Sequence, residues 1–192
     1  MPSSRSDLLN DVSFVITYPS PGSARRNVYL GWVESWNDSL ETFLIAFGDN
    51  HPSVPVTDPE EQPFSLVEKR RMARRQVQSR VGQQRFKFLV SKRNGLRCAV
   101  CGISAPRLLD AAHLRPKREH GSDDPRNGLV LCASHHRALD AGLFAIEPSS
   151  LRIRFTTSGP DTDSLRMDYS TLEHLPKKPH RDALEWLWNR WR

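Results

Sequence analysis

The residues best suited to chemistry lie between positions 98 and 140. Cys98-Ala-Val-Cys101 is followed, after a gap of thirty residues, by Cys132-Ala-Ser-His135. Two turns that each place a pair of soft ligands a tight loop apart can close a tetrahedral site, with three thiolates and one imidazole filling every position. Zinc suits this donor set, and a site with four protein ligands is structural because no position is left for water or substrate. The arrangement uses all three cysteines of the chain. An odd number makes no complete disulfide framework, which leaves metal binding or a free thiol. Two other readings stay open: buried cysteines beside an unrelated histidine, and a His135 that serves neighbouring chemistry instead.

Between the halves of this knuckle runs Leu108-Leu-Asp-Ala-Ala-His113-Leu-Arg-Pro116. Further on comes Asn127-Gly-Leu-Val-Leu-Cys132-Ala-Ser-His135-His136-Arg-Ala-Leu-Asp140-Ala-Gly-Leu-Phe144. The segment resembles the HNH nuclease motif, with His113, Asn127 and His136 in its three signature positions. More narrowly, Gly82-Gln83, Phe86, Arg97-Cys98-Ala99-Val100, Ala111-Ala112-His113, Asn127-Gly128-Leu129 and the run from Leu139 to Phe144 resemble a branch of bacterial restriction endonucleases. The resemblance covers about residues 80–190 and leaves out 1–64. It implies a ββα-metal fold: a hairpin holding His113 and Asn127, then a helix carrying His136, around one divalent cation. It also implies that His113 is the general base, that Asn127 orients and polarises it, and that His136 binds the metal. The residue types suit that chemistry independently. An imidazole, with an ordinary pKa of about 6.5, can activate water at neutral pH, and a Lewis acid takes up charge on the phosphate and leaving oxygen.

The chain departs from many such nucleases just before the base. There an Asp or His often ligates the metal, whereas here Ala112 cannot. Side chains two apart on a strand share a face, so Asp110 is expected to point with Ala112 and to reach the metal directly or through water. Asp140, four residues after His136 on one helical face, is the other candidate and the favoured direct ligand. Its alternative is a helix-end carboxylate bonded to backbone amides. Arg115, Lys117, Arg118 and Arg137 surround the site in sequence and are candidates for holding DNA phosphates. His120 reads as a surface histidine, and His51, His174 and His180 have no partner at metal spacing.

The elements that must position these residues follow from patterning. Residues 12–18, 27–36 and 41–47 are rich in β-branched and aromatic types and are separated by turn formers, which predicts a small antiparallel sheet. Prolines 52, 55, 59 and 63 mark a linker over 51–64. Ser65-Leu-Val-Glu68 has the pattern of a capping box, opening a basic helix free of Pro and Gly until Gly82. A second helix is expected to carry Phe86, Leu89 and Val90 and to stop at Asn94-Gly95. Leu151–Phe155 alternates like a strand. Leu184, Trp188 and Trp191 share one face of a C-terminal helix and read as core packing.

The fold class expected is therefore α+β: a β-rich module over 1–50, a linker over 51–64, and a nuclease domain with its basic lead-in over 65–192. The net charge of +6 is a sum of unlike parts, with −6 in residues 1–64, +10 in 65–97 and +2 in 98–192. A one-sided basic stretch attracts phosphate backbones, so DNA is the expected partner; the plainer reading is a basic solvated helix. No apolar run nears the roughly 18 residues of a membrane span, and no signal peptide is recognised at the N-terminus, so a cytoplasmic location is expected. Tyr18, Tyr29, Trp32, Trp36, Phe43 and Phe47 of the first module could form the core of a packing or dimer module, or stack on a flipped base.

The leading function is a metal-dependent DNA endonuclease of restriction or phage defence, with dependence on modified DNA left open. Alternatives are a homing or mobile-element nuclease and a zinc-stabilised DNA-binding module without catalysis. Structural zinc, a catalytic Mg²⁺ or other divalent ion, and a homodimer complete the expectations.

Overall fold

The computed structural model describes residues 12–17, 20, 22, 24–47, 58–67, 77–157 and 159–192, and for 12–17 and 77–81 the backbone course alone. Helices and small antiparallel sheets are mixed, as an α+β fold requires. The chain divides into two units, Met1–Asp58 and Pro59–Arg192.

In the first unit β1 (Val12–Thr17), β2 (Asn27–Asn37) and β3 (Thr42–Phe47) form an antiparallel sheet with β2 at its centre. The register runs from Thr17 opposite Asn27 to Val12 opposite Trp32, and a bulge interrupts the second pairing between Val33 and Ser35. Burial along β2 alternates, so Gly31, Val33 and Ser35 form its covered face. Tyr29 and Phe47 meet edge to face at 5.8 Å. Both remain about half exposed, as does Phe43, so among the described residues these aromatics are not a closed core. Tyr18 and His51 lie outside the described residues.

The second unit holds the larger core. Helix α1 (Val77–Asn94) lays Phe86 and Val90, one turn apart, against a hairpin of β4 (Leu109–His113) and β5 (Gly128–Cys132). Truncating a buried Phe such as Phe86 to Ala typically costs about 3–5 kcal/mol. The hairpin pairs Leu109 with Cys132 at one end and His113 with Gly128 at the other. Gly128 is required by space: a Cβ there would stand 2.5 Å from the Phe86 ring and 2.7 Å from Val90. Helix α2 (Ala133–Asp140) follows β5 at once, which completes a ββα unit. A second hairpin, β6 (Phe144–Ile146) with β7 (Ile153–Phe155), and helix α3 (Arg181–Trp191) close the core through Phe144, Ile146, Ala183 and Leu184. Leu184 is buried as expected, while Trp188 and Trp191 are half-buried and stack at 5.2 Å.

Two helix expectations are corrected. Ser65 caps no helix: its Oγ donates to the Val67 carbonyl, and Val67 pairs across an isolated bridge with Gly121. The segment is extended because it has tertiary partners there, with the Ser122 N–H donating to the Leu66 carbonyl and Phe64 and Leu66 packed on the core. Glu68 lies outside the described residues. Nor does a helix break at Gly82, because α1 runs through it to Asn94. One glycine costs a helix about 1 kcal/mol, which the packing of Phe86 and Val90 outweighs.

Candidate active site and metal centre

The knuckle gathers all of its expected ligands. The ligand atoms of Cys98, Cys101, Cys132 and His135 lie within 4.8 Å of one another, and all four residues are buried. His135 Nδ1 is 3.6 Å from Cys98 Sγ and 3.0 Å from Cys132 Sγ, and the sulfurs of Cys101 and Cys132 are 3.9 Å apart. Metal–ligand lengths of about 2.3 Å to sulfur and 2.0–2.1 Å to nitrogen set tetrahedral edges of roughly 3.5–3.8 Å, close to this spacing. The second ring nitrogen, Nε2, is 2.8 Å from the Leu165 carbonyl. A carbonyl only accepts, so Nε2 bears a proton, and Nδ1 is the ring nitrogen that faces the sulfurs. Burial works to raise the Cys98 thiol, but hydrogen bonds from His135 and nearby backbone groups bring it down to about 6. His135 is raised to about 9, chiefly by its bond to Cys98, and burial pushes Cys101 up to about 12. The donor set, three thiols and one imidazole gathered at tetrahedral spacing, fits zinc, which would take the cysteines as thiolates and His135 through Nδ1.

A cleft of about 780 Å³ opens on the same ββα unit. Gln83, Gln84, Phe86 and Lys87 of α1 line it together with Asp110, His113, His136 and Asp140. His113 ends β4 and stacks on Phe86, with ring centroids 3.7 Å apart and planes 7° from parallel. Its Nε2 lies 3.0 Å from Asp123 Oδ1, whose second oxygen is 2.8 Å from Lys117 Nζ. Burial works to raise the Asp123 carboxyl, yet the bonds from His113 and Lys117 prevail and hold it below its usual value.

His136, on the first turns of α2, lies between two carboxylates. Asp110 Oδ2 is 3.7 Å from its Nδ1 and Asp140 Oδ2 is 3.7 Å from its Nε2. The carboxylates approach opposite ring nitrogens. One nitrogen with its carboxylate could therefore hold a cation while the other carboxylate accepts from the remaining N–H and fixes the ring. Asp110 already has a cation 3.7 Å away in Lys87. Burial does not alternate along β4: Ala112 is fully buried, whereas Asp110, two residues before it, is exposed.

Asn127 is fully buried and grips the loop after β4. Its Oδ1 accepts from the Arg115 N–H at 2.9 Å, and its Nδ2 donates to the carbonyls of Arg115 at 3.1 Å and Ser122 at 3.0 Å. The four expected phosphate contacts differ in setting. Arg115 donates to the Glu119 carbonyl and lies over the Trp186 ring, and Lys117 is paired with Asp123. Arg118 lines the cleft, and Arg137 is exposed on α2. His120 is exposed, His174 stacks on Tyr169, and His180 stacks on Phe64, so these three take ordinary places. Asp123, Lys87 and the Phe86 stacking escaped sequence reasoning. Only Lys87 had a signal, as part of the basic segment.

A β-hairpin and a helix thus present two histidines and two carboxylates to one cleft. Residues 98–147 match the family model described as HNH endonuclease. Among solved structures the chain is similar to one described as the modification-dependent TagI restriction endonuclease, at 21% identity and a TM-score of 0.46. The match covers 97% of this chain and 64% of that one, so this chain spans less than two thirds of that structure's length. No curated protein matches the chain. Among the described residues no helix is long and apolar enough to cross a membrane.

Proposed function

We propose that the protein is a metal-dependent DNA endonuclease acting in restriction or phage defence in the cytoplasm. The observation that carries the reading is the convergence of His113, His136, Asp110 and Asp140 on one cleft of an HNH endonuclease domain. His113 takes a proton from the attacking water. His136 and Asp140 would hold the catalytic cation, with Asp110, already beside Lys87, supporting the His136 ring. The cation, Mg²⁺ by preference, supplies Lewis-acid stabilisation of the phosphate when bound. Asn127 acts on His113 through the loop that it ties, and Arg118 and Arg137 approach the phosphates. Zinc in the knuckle would tie the Cys98–Cys101 turn to the junction of β5 and α2. Breaking both strands requires two active sites or two successive cuts, and a homodimer meets that need.

Plasmid cleavage with Mg²⁺ or Mn²⁺, beside EDTA and His113→Ala controls, tests the reading on unmodified and methylated DNA. Cleavage that EDTA abolishes and His113→Ala suppresses supports it. Protein that nicks no DNA under any of these conditions defeats it. Cleavage confined to methylated DNA would give residues 1–50, with their half-exposed Tyr29, Phe43 and Phe47, a reader's role.

A further inference from the structure

We infer that Asp123 is a positioning residue that fixes which nitrogen of His113 does the chemistry. An ionised carboxylate has no proton to donate, so the contact of 3.0 Å between Asp123 Oδ1 and His113 Nε2 is made by an N–H on Nε2. In the neutral imidazole the lone pair then sits on Nδ1. The inference rests on the reading of His113 as the base and adds that Nδ1 is the atom that accepts the proton. Once it has done so, the carboxylate stands against the new imidazolium and stabilises it.

Three further contacts hold the pair. Lys117 Nζ, 2.8 Å from Asp123 Oδ2, keeps the carboxylate ionised and limits its rotation, a use for this lysine other than phosphate binding. Phe86, parallel to the imidazole at 3.7 Å, confines the ring to one plane, so the Asp123 contact selects its orientation within that plane. Gly82 clears the space: a Cβ there would lie 3.2 Å from Asp123 Oδ2, tighter than an ordinary contact. A helix-interior glycine, unfavourable by propensity, is thus accounted for by the carboxylate beneath it. The adjacent Asp124 is used differently. It binds Arg126 through both oxygens, at 2.9 and 2.7 Å, and so anchors the loop without touching the base.

The test combines a tautomer measurement with kinetics on the full chain. Long-range ¹H–¹⁵N spectra of histidine-labelled protein, assigned with His113→Gln, should show His113 protonated at Nε2. Asp123→Asn should shift it toward the Nδ1–H form and slow single-turnover cleavage about 100-fold or more, with DNA affinity in Ca²⁺ and zinc content unchanged. Gly82→Ala, which keeps the carboxylate but crowds it, should slow cleavage less, without lowering the thermal midpoint. A wild-type His113 protonated at Nδ1, or an Asp123→Asn protein with the wild-type tautomer and rate, overturns the inference. Should no variant, the wild type included, cut DNA, the nuclease reading falls, and the spectra still decide whether Asp123 sets the tautomer.

Discussion

Asn127 holds Arg115 by both ends of its backbone: Oδ1 accepts from its N–H at 2.9 Å and Nδ2 donates to its carbonyl at 3.1 Å. A third bond, from Nδ2 to the Ser122 carbonyl at 3.0 Å, leads toward Asp123, the next residue. The amide therefore ties the two ends of the loop that brings Asp123 under His113. Asn127→Ala would strand one buried N–H and two buried carbonyls and should cost about 2–4 kcal/mol in urea unfolding. Asn127→Asp should do no better, since it places a carboxylate against two carbonyl oxygens. An Asn127→Ala protein with an unchanged midpoint but no cleavage would instead put the amide in the chemistry.

The two histidines of the cleft should separate kinetically. His113→Ala is expected to lower the turnover rate about 10²–10⁴-fold without moving the metal concentration for half-maximal cleavage. His136→Ala and Asp140→Asn should raise that concentration about 10–100-fold. Metal titrations of each variant check this. Equal metal dependence in all three would refute the division of labour.

Zinc should be tightly held at one ion per chain and should leave together with the fold. Chelator titration followed by circular dichroism is expected to show loss of zinc and helix in one transition, and Cys98→Ser should lower the thermal midpoint sharply. Metal-free protein that stays well folded would refute a structural site.

Asp123 also predicts a pH dependence. Its folded pKa is depressed, so its contribution to stability is fully present above the unfolded value and is lost as pH falls through the folded one. Wild-type protein should therefore exceed Asp123→Asn in stability by a constant margin above about pH 5. Below that the margin should shrink. Both proteins share the knuckle, so acid loss of zinc affects them alike and the difference isolates the carboxylate. A margin that widens in acid would contradict the assignment.

The Cys98, Cys101, Cys132 and His135 cluster was legible because its chemistry is local, being a matter of residue type and short spacing, whereas the two cleft histidines were legible through the resemblance to the HNH motif. The three strands of the first sheet were legible from composition. Asp123 was not, because nothing in its neighbourhood separates it from Asp124; only the folded loop gives one to His113 and the other to Arg126. Gly82 misled for a related reason. Propensity treats glycine as a helix stop, whereas here it lies against a side chain 41 residues away, Asp123. Asp110 and Ala112 differ in burial although they stand two apart on β4, because Ala112 joins the core while Asp110 lines the cleft.

His135 and His136 are neighbours on α2, yet the first turns to the knuckle and the second to the cleft. Successive positions on a helix differ by about 100° in azimuth. The knuckle therefore works as an index pin on a shaft: by seizing one histidine it sets the angular phase at which the other faces the cleft. A residue inserted between them, or a helix unwound by a fraction of a turn, would leave both imidazoles present and turn the second away from the cleft.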